Sequence, residues 1–477
     1  MTSRRTLLGL ERRGGFAPSD FGNTRVISWF ITHIEVVGVI LLTLLVAFIL
    51  LQQRRSPQST AAWILFLVVL PYVAAPLFLA LGFRKHGKRY DPVRVLQKEG
   101  HQTPVHQLDQ TFQNFSMPPA LEAQRLQLIE SPQAAMTAVL ETVGSAERSL
   151  DCLFYIVADD PVGIRFVDAL TEKAQRGVKI RLLMDRLGTL RGPHKAIRRL
   201  KKAGGEVLYF SPFLQLPSSG HLNLRNHRKM IIADDARVFS GGMNIGTHYM
   251  QPSDDNWVDL AFTLEGLSVQ GFCDVFRSDW EVASGQEMPD RITPAPDAAG
   301  NATVQLIPSG PDIVEDPLHD GLIRALHMAE TRIWIATPYF VPTEPLANAL
   351  RIAALRGVDV RILVPENSNQ RIADFARGGY LRDAEHAGAV IHFFTPGMIH
   401  AKTALIDDVG VLGSANFVVR SMLLKFETML FVYDGRSVAQ LSEWFMRQQA
   451  QCHTNVPHPH LPRRLAEGVF RIGAPIL

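Results

Sequence analysis

"NHRKMIIAD" at residues 226–234 and "IHAKTALID" at residues 399–407 each set a histidine, a lysine two positions on and an aspartate five positions beyond that lysine around an apolar run. Residues two apart on an extended chain point to the same side. His227 and Lys229 can therefore address one spot, as can His400 and Lys402, so that a nucleophile and a cation meet one anion. The apolar "MIIA" and "TALI" read as strand entering a core, with Asp234 and Asp407 where each strand ends. A short turn then leads to "GGMN", ending at Asn244, and to "GSAN", which contains Ser414 and ends at Asn416. Glycine there allows close backbone approach, and the side-chain amide can donate to a phosphate oxygen.

One such motif carries little weight, but the surroundings repeat as well. "RSLDCLFYI" from Arg148 corresponds to "TRIWIATPYF" around Arg332, aligning Tyr155 with Tyr339. "RGVKIRLLM" from Arg176 matches "RGVDVRILV" from Arg356, and "AGGEVLYFSP" ending at Pro212 matches "AGAVIHFFTP" ending at Pro396. Four segments in the same order indicate two copies of one domain. Apolar strand-like runs alternate with helical stretches, which predicts an α/β class in which each half is a mixed sheet flanked by helices. The halves are assigned to 121–290 and 291–477, with the boundary near "PDRITPAPDAAGNA" at 289–302; polar residues 91–120 read as a linker. The first half interposes "FLQLPSSGHLNLRN", including His221, before His227, where the second has only "GMI".

Residues 1–90 differ in kind. Two apolar stretches, about 28–52 and 61–83, flank the polar "QQRRSPQST". At about 1.5 Å per residue the second reaches about 34 Å, enough to cross a bilayer core of about 30 Å, with Pro71 and Pro76 as kink points. These predict a two-helix transmembrane hairpin. Arg4, Arg5, Arg12, Arg13 and Arg25 precede it and Arg84, Lys85, Lys88 and Arg89 follow, against only Arg54 and Arg55 between the spans. The positive-inside tendency places both ends, and the large remainder, in the cytoplasm. In a chain of 477 residues, a formal charge of +3 is far from the basic loading of a nucleic-acid binder, so no nucleic acid is expected. Three scattered cysteines argue against a disulfide framework.

The paired HxKx4D motifs with their following GGxN and GSxN resemble the phospholipase D superfamily, whose members join two HKD motifs across a pseudo-twofold interface into one active site. The apolar N-terminus, "SGPD" at 309–312 and "PGMIHAKTALIDD" further resemble bacterial cardiolipin synthases of that type. The resemblance implies transfer of a phosphatidyl group from one phosphatidylglycerol to another, releasing glycerol, at a bacterial inner membrane. It implies catalytic roles for His227, Lys229, Asp234, His400, Lys402 and Asp407. One imidazole attacks phosphorus while the other protonates the leaving alkoxide, and the lysines offset phosphate charge, so neither metal nor other cofactor is called for. The symmetry of the motifs leaves open which histidine attacks; the resemblance favours His227.

Each histidine also needs a carboxylate to fix its tautomer. Asp259, 15 residues beyond Asn244, and Glu427, 11 beyond Asn416, occupy the positions where the family carries an acid. Two departures stand out. The turn between Asp407 and Gly413 is one residue shorter than its counterpart, and the family's "NLDxRSxxLNFE" is here "NFVVRSMLLKFE", with Val418 and Lys425 replacing Asp and Asn. The histidine-bearing "CHTNVPHPH" reads as a polar C-terminal segment rather than a zinc site. Hydrolysis by a membrane-bound phospholipase D, or anionic-lipid binding without turnover, are the alternative readings.

Overall fold

The computed structural model describes residues 21–53, 57–82, 93, 103–210, 224–252, 257–288 and 300–472. Most of the basic flanking residues, His221 and its loop, and the boundary segment 289–299 lie outside them. The chain divides into residues 1–79 and 80–477.

In the N-terminal unit, helix α1 (Phe21–Gln52) contains a 25-residue apolar stretch, Ser28–Gln52, long enough to cross a membrane. The second apolar stretch is not the continuous span expected. It divides into α2 (Pro57–Val69) and α3 (Pro71–Leu81), because Pro71 has no N–H to continue the ladder. Val46 and Leu50 of α1 pack with Leu67, Ala74, Ala75 and Phe78, while α1 leaves Ile34, Leu41, Leu44 and Phe48 more than half exposed. A helix apolar on its outer side suits a lipid surround.

The second unit is built on the predicted repeat. The first half contributes β1 (Leu121–Ile129), β2 (Ser149–Phe154), β3 (Lys179–Asp185), β4 (Glu206–Phe210), β5 (Met230–Ala233), β6 (Arg237–Gly241) and β7 (Ala261–Glu265). The second contributes β8 (Ala302–Ser309), β9 (Arg332–Ala336), β10 (Asp359–Pro365), β11 (Val390–Phe394), β12 (Thr403–Ile406), β13 (Val409–Gly413) and β14 (Glu427–Val432), with a short edge strand β15 (Cys452–His453). Strand order runs β15-β11-β10-β9-β12-β13-β14-β8-β1-β7-β6-β5-β2-β3-β4. Reading outward from the antiparallel β8–β1 junction, each half shows the same sequence of strands, so a pseudo-twofold passes through the middle of the sheet. Within each half three strands are parallel and the motif strand, β5 or β12, is antiparallel to β2 or β9. Gly177 and Gly357, with φ of +89° and +88°, end the matching helices Pro161–Gln175 and Glu344–Leu355.

Each half has its own core, and a third core joins them. Met230 and Ile232 of β5 and Leu405 and Leu412 of the second half share it with Phe272 and Phe276 of helix Val269–Ser284 and Trp444 and Phe445 of helix Gly435–Gln449. Burying each such side chain contributes roughly 1.5–3 kcal/mol, so the two halves are held as one body. The 91–120 segment is not simply a linker. It contains helix α4 (Gln107–Asn114), whose Leu108 and Phe112 are buried in the second half's core. The buried Asp109 accepts from Gln113 Nε2, Ala120 N and Gln305 Nε2 at 3.0–3.1 Å. Its apolar pair is too short a signal to stand out from a polar sequence.

The structure also separates the motif aspartates from the histidines. Each aspartate lies seven residues beyond its histidine, roughly 23 Å along an extended chain. Asp234 sits in the β5–β6 turn at φ +54° and accepts from the backbone N–H groups of Glu147, Arg148 and Ser149 at 2.7–2.8 Å. Asp407, at φ +50°, accepts from those of Glu330, Thr331 and Arg332 at 2.8–2.9 Å. Both tie the motif hairpin to the start of the adjacent strand, an anchoring arrangement. Replacing either with alanine strands these donors and should cost about 1–3 kcal/mol. Asp407→Asn should lower the thermal midpoint in detergent yet keep far more activity at low temperature than His400→Ala; equal inactivation of the two variants would contradict the anchoring role.

Candidate active site

The HxK segments precede β5 and β12, and both are crossed by the other half. Asn226 bridges Phe426 and Ile399 bridges Val258. His227 N–H donates to Phe426 O at 2.9 Å and His400 N–H to Val258 O at 2.6 Å. The residues after those bridges are Glu427 and Asp259, so each histidine is delivered to a carboxylate of the opposite half. His227 Nδ1 lies 2.9 Å from Glu427 Oε2 and His400 Nδ1 lies 2.6 Å from Asp259 Oδ2. With Nδ1–H donating, Nε2 of each ring is left with its lone pair. Both carboxylates are fully buried and both histidines almost so, at 6% and 5% exposure. The sequence singled out all four residues, but the exchange of partners across the interface is visible only in the assembled structure.

Lys229 Nζ donates to His227 O at 2.6 Å, and Lys402 Nζ lies 3.1 Å from His400 Nε2. The glycine-containing turns make room for the carboxylates. A Cβ on Gly242 would come 2.3 Å from Asp259 Oδ1, and one on Gly413 would come 2.3 Å from Thr428 O. Ser414, at the place of Gly242, accepts from Thr428 N through its hydroxyl, and its carbonyl lies 3.2 Å from His227 Nδ1. Asn244 donates to Tyr249 Oη at 3.0 Å and accepts from Ile156 N, whereas the buried Asn416 leaves Oδ1 unpaired. The shorter second turn, Asp407 and Asp408 against three residues in the first, is absorbed between paired β12 and β13 and does not shift the motif.

Four residues around the histidines were not assigned to the site from sequence. Tyr155 meets His227 edge-on at 5.1 Å between ring centroids; Tyr249 and Trp257 approach His400 at 5.3 and 5.0 Å. Arg228, between the motif's histidine and lysine, is wholly buried and binds Asp279, Asp312, Ser309 O and Glu427 O at 2.9–3.2 Å. That stitches the first motif to the second half's "SGPD" segment. No periodicity marks such residues; they matter only through partners remote in sequence. The C-terminal histidines disperse: His453 faces Glu366 and His458 faces Glu385.

Burial sets the electrostatics. It pushes Lys229 down to about 7 against the pull of Glu427, with Lys402 and Lys425 adding to the fall. Burial likewise brings Lys402 to about 8. His227 is held well below its ordinary value by burial, then by Lys229, Lys425 and Lys402; burial and Lys402 bring His400 to about 4. Burial raises Glu427 to about 7, whereas Asp259, which burial alone would raise, is held down by Lys402 and His400. The arrangement is a cationic, desolvated chamber with two neutral imidazoles, suited to a phosphate monoanion.

Comparison with known proteins agrees with this architecture. Residues 139–280 and 322–449 match the model described as cardiolipin synthase, PLD-like domain, and residues 40–82 match a phospholipase D-nuclease N-terminal model. The chain belongs to the phospholipase D-like family, in its cardiolipin synthase group. Major cardiolipin synthase ClsA of Bacillus subtilis is 32% identical over 92% of this chain and 98% of its own length. Cardiolipin synthase 1 of Bacillus cereus is 30% identical over 91% and 92%. A phosphatidylserine synthase crystal structure from Haemophilus influenzae shares the fold, with TM-score 0.60 and 15% identity over 78% of this chain and 98% of that one.

The lysine values make a pH prediction. An anionic donor binds best while both lysines are charged, so affinity is full below their values and is lost as pH rises through about 7 to 8. Donor kcat/KM should then fall about tenfold per pH unit between those values and more steeply above both. A profile flat to pH 10 would rule out the lysines as the phosphate's counter-charges.

Proposed function

We propose that the chain is a cardiolipin synthase that transfers the phosphatidyl group of one phosphatidylglycerol to the terminal hydroxyl of another, through a phosphohistidine. The observation that carries this reading is the pair of crossed histidine–carboxylate bonds, which leaves Nε2 of each ring free of its carboxylate while Lys229 and Lys402 act on both rings. His227 Nε2 attacks phosphorus; the P–N bond forms as the P–O bond to glycerol breaks, and His400, which takes up a proton at Nε2 as the phosphate anion binds beside it, gives that proton to the departing oxygen. The acceptor hydroxyl then returns a proton to His400 as its oxygen displaces His227.

The assignment follows from charge. Lys425 adds a cation on the His227 side, disfavouring imidazolium there and keeping the attacking nitrogen bare. Burial and Lys402 hold His400 down, and the ionised Asp259, at 2.6 Å, works against them by favouring the imidazolium that an acid requires. Low exposure of both rings favours a lipid alcohol over bulk water as acceptor. The apolar N-terminal helices anchor the chain in the bilayer as a multi-pass hairpin, and the basic flanks favour both ends, and the site, facing the cytoplasm.

Purified protein with phosphatidylglycerol alone should yield cardiolipin and glycerol in equal amounts; phosphatidate as the main product would overturn the transferase reading. With a phosphatidyl-p-nitrophenol donor, whose leaving group needs no acid, His400→Ala should release nitrophenolate once and accumulate phosphohistidine, while His227→Ala should do neither. The reverse pattern would exchange the two roles. Cysteines introduced before residue 25 and after residue 90 should resist impermeant reagents in intact cells, and labelling from outside would invert the topology.

A further inference from the structure

The turns that leave β3 and β10 occupy equivalent places about the pseudo-twofold, one beside each histidine. The first is built into the site. Asp185, the last residue of β3, accepts from Asn226 N–H next to His227 and from the N–H groups of Leu187 and Gly188, at 2.9–3.2 Å. A Cβ on Gly188 would come 2.0 Å from the carbonyl oxygen of Tyr155, the residue that meets the His227 ring. The turn is therefore held in one shape, which buries Thr189 and leaves Leu187 and Leu190 exposed, Leu190 by 59%.

The turn after β10 leads into helix Arg371–His386, which leans on the other wall. Its Ala373 and Ala376 pack with Tyr339, Met398 and Trp257, and Trp257 is the ring beside His400. Ile372 and Phe375 of the same helix are exposed. Phe375 meets Phe470 of helix Leu461–Ile472 at 5.5 Å, with the Arg463 guanidinium 5.6 Å from its ring. That last helix is laid down inside out. Its Glu467 is buried and paired with Arg382 and Arg463, whereas Leu461 and Leu465, one turn apart, are 67% and 63% exposed. A helix that faced water would reverse the two sides.

Both apolar patches are set among cations. Residues 186–202, from the first turn through helix His194–Lys202, hold seven Lys and Arg and no Asp or Glu. At the second turn Arg371, Arg463 and Arg464 are exposed, and the neighbouring carboxylates Asp374 and Glu366 face Arg377 and His453. Exposed leucine flanked by arginine suits the headgroup and outer acyl layer of an anionic bilayer. A second copy of the chain suits it less, because a twofold contact would set basic patch on basic patch whichever corners met.

We propose that the two corners form a rim by which the catalytic unit seats on an anionic leaflet. Leu187 and Leu190 on the His227 side, and Ile372, Phe375, Leu461 and Leu465 on the His400 side, enter the outer acyl layer while the arginines stay among the headgroups. The leaflet then meets the protein on both sides of the chamber. The seating itself needs only a bilayer; its bearing on lipid delivery rests on the transfer proposed above.

The test uses the full-length protein in vesicles of phosphatidylglycerol and phosphatidylcholine, with Cys452→Ser removing the one cysteine that is not buried. A nitrobenzoxadiazole label is placed on Leu190→Cys, on Leu465→Cys and, as a control, on the exposed Gln175→Cys, which precedes β3 at the strand's other end. Phosphatidylcholine carrying a nitroxide on its acyl chain should quench the first two labels about twofold or more and leave the third unchanged, while iodide should quench only the third. Omitting phosphatidylglycerol should remove most of the acyl-chain quenching. Labels at 190 and 465 quenched by iodide and not by lipid overturn the rim, and labels shielded from both overturn it in favour of a protein partner. Vesicles that quench as expected but form no cardiolipin overturn the proposed transfer and leave the rim standing.

Discussion

Two hydrogen bonds that cross between the halves, His227 to Glu427 and His400 to Asp259, are the constraint on which the rest of the catalytic unit depends. Neither half contains a complete histidine–carboxylate pair. The ionisable groups are buried, and an isolated buried charge is costly unless it is paired and hydrogen-bonded. Separating the halves would strand both carboxylates and both imidazoles, so the apolar interface and the polar site stabilise the same arrangement. The third core, filled from both half-sheets and helices Val269–Ser284 and Gly435–Gln449, excludes the water that would weaken these bonds.

The duplicated fold creates a symmetric frame, and the chemistry needs an asymmetric one, because the two histidines have different tasks. The asymmetry comes from a few substitutions at equivalent positions. Arg228 stands where the second half has Ala401 and binds the first motif to segments of the second half. Lys425 stands where the first half has Trp257, making one flank cationic and the other aromatic. Glu427 is drawn up to about 7 while Asp259 is held low, so the carboxylates differ in the charge they present to their imidazoles. Small local changes on a shared scaffold are enough to polarise the chamber.

Much of this was legible in the chain. The repeat order, the α/β class and the strands that follow each HxK came from periodicity two and from segment matching, which are properties of neighbouring residues, and the carboxylate candidates came from the family resemblance. What misled was proximity along the sequence. Asp234 and Asp407 belong to the motif by spacing, yet a strand's length carries them to a turn where each accepts three backbone N–H groups. The 91–120 segment looked like a linker because only Leu108 and Phe112 of α4 meet the core.

The sequence by itself determined that there would be two matching histidine–lysine pairs, each leading into an apolar strand, and an apolar N-terminus long enough to cross a bilayer, since local pattern sets strand alternation and helix length. Only the tertiary structure decided that each histidine takes its carboxylate from the other half and that Arg228 joins the halves. The partners in those contacts lie up to 200 residues apart along the chain. Nothing in local pattern encodes such pairing; it arises when packing two apolar faces together brings buried charges within reach of one another.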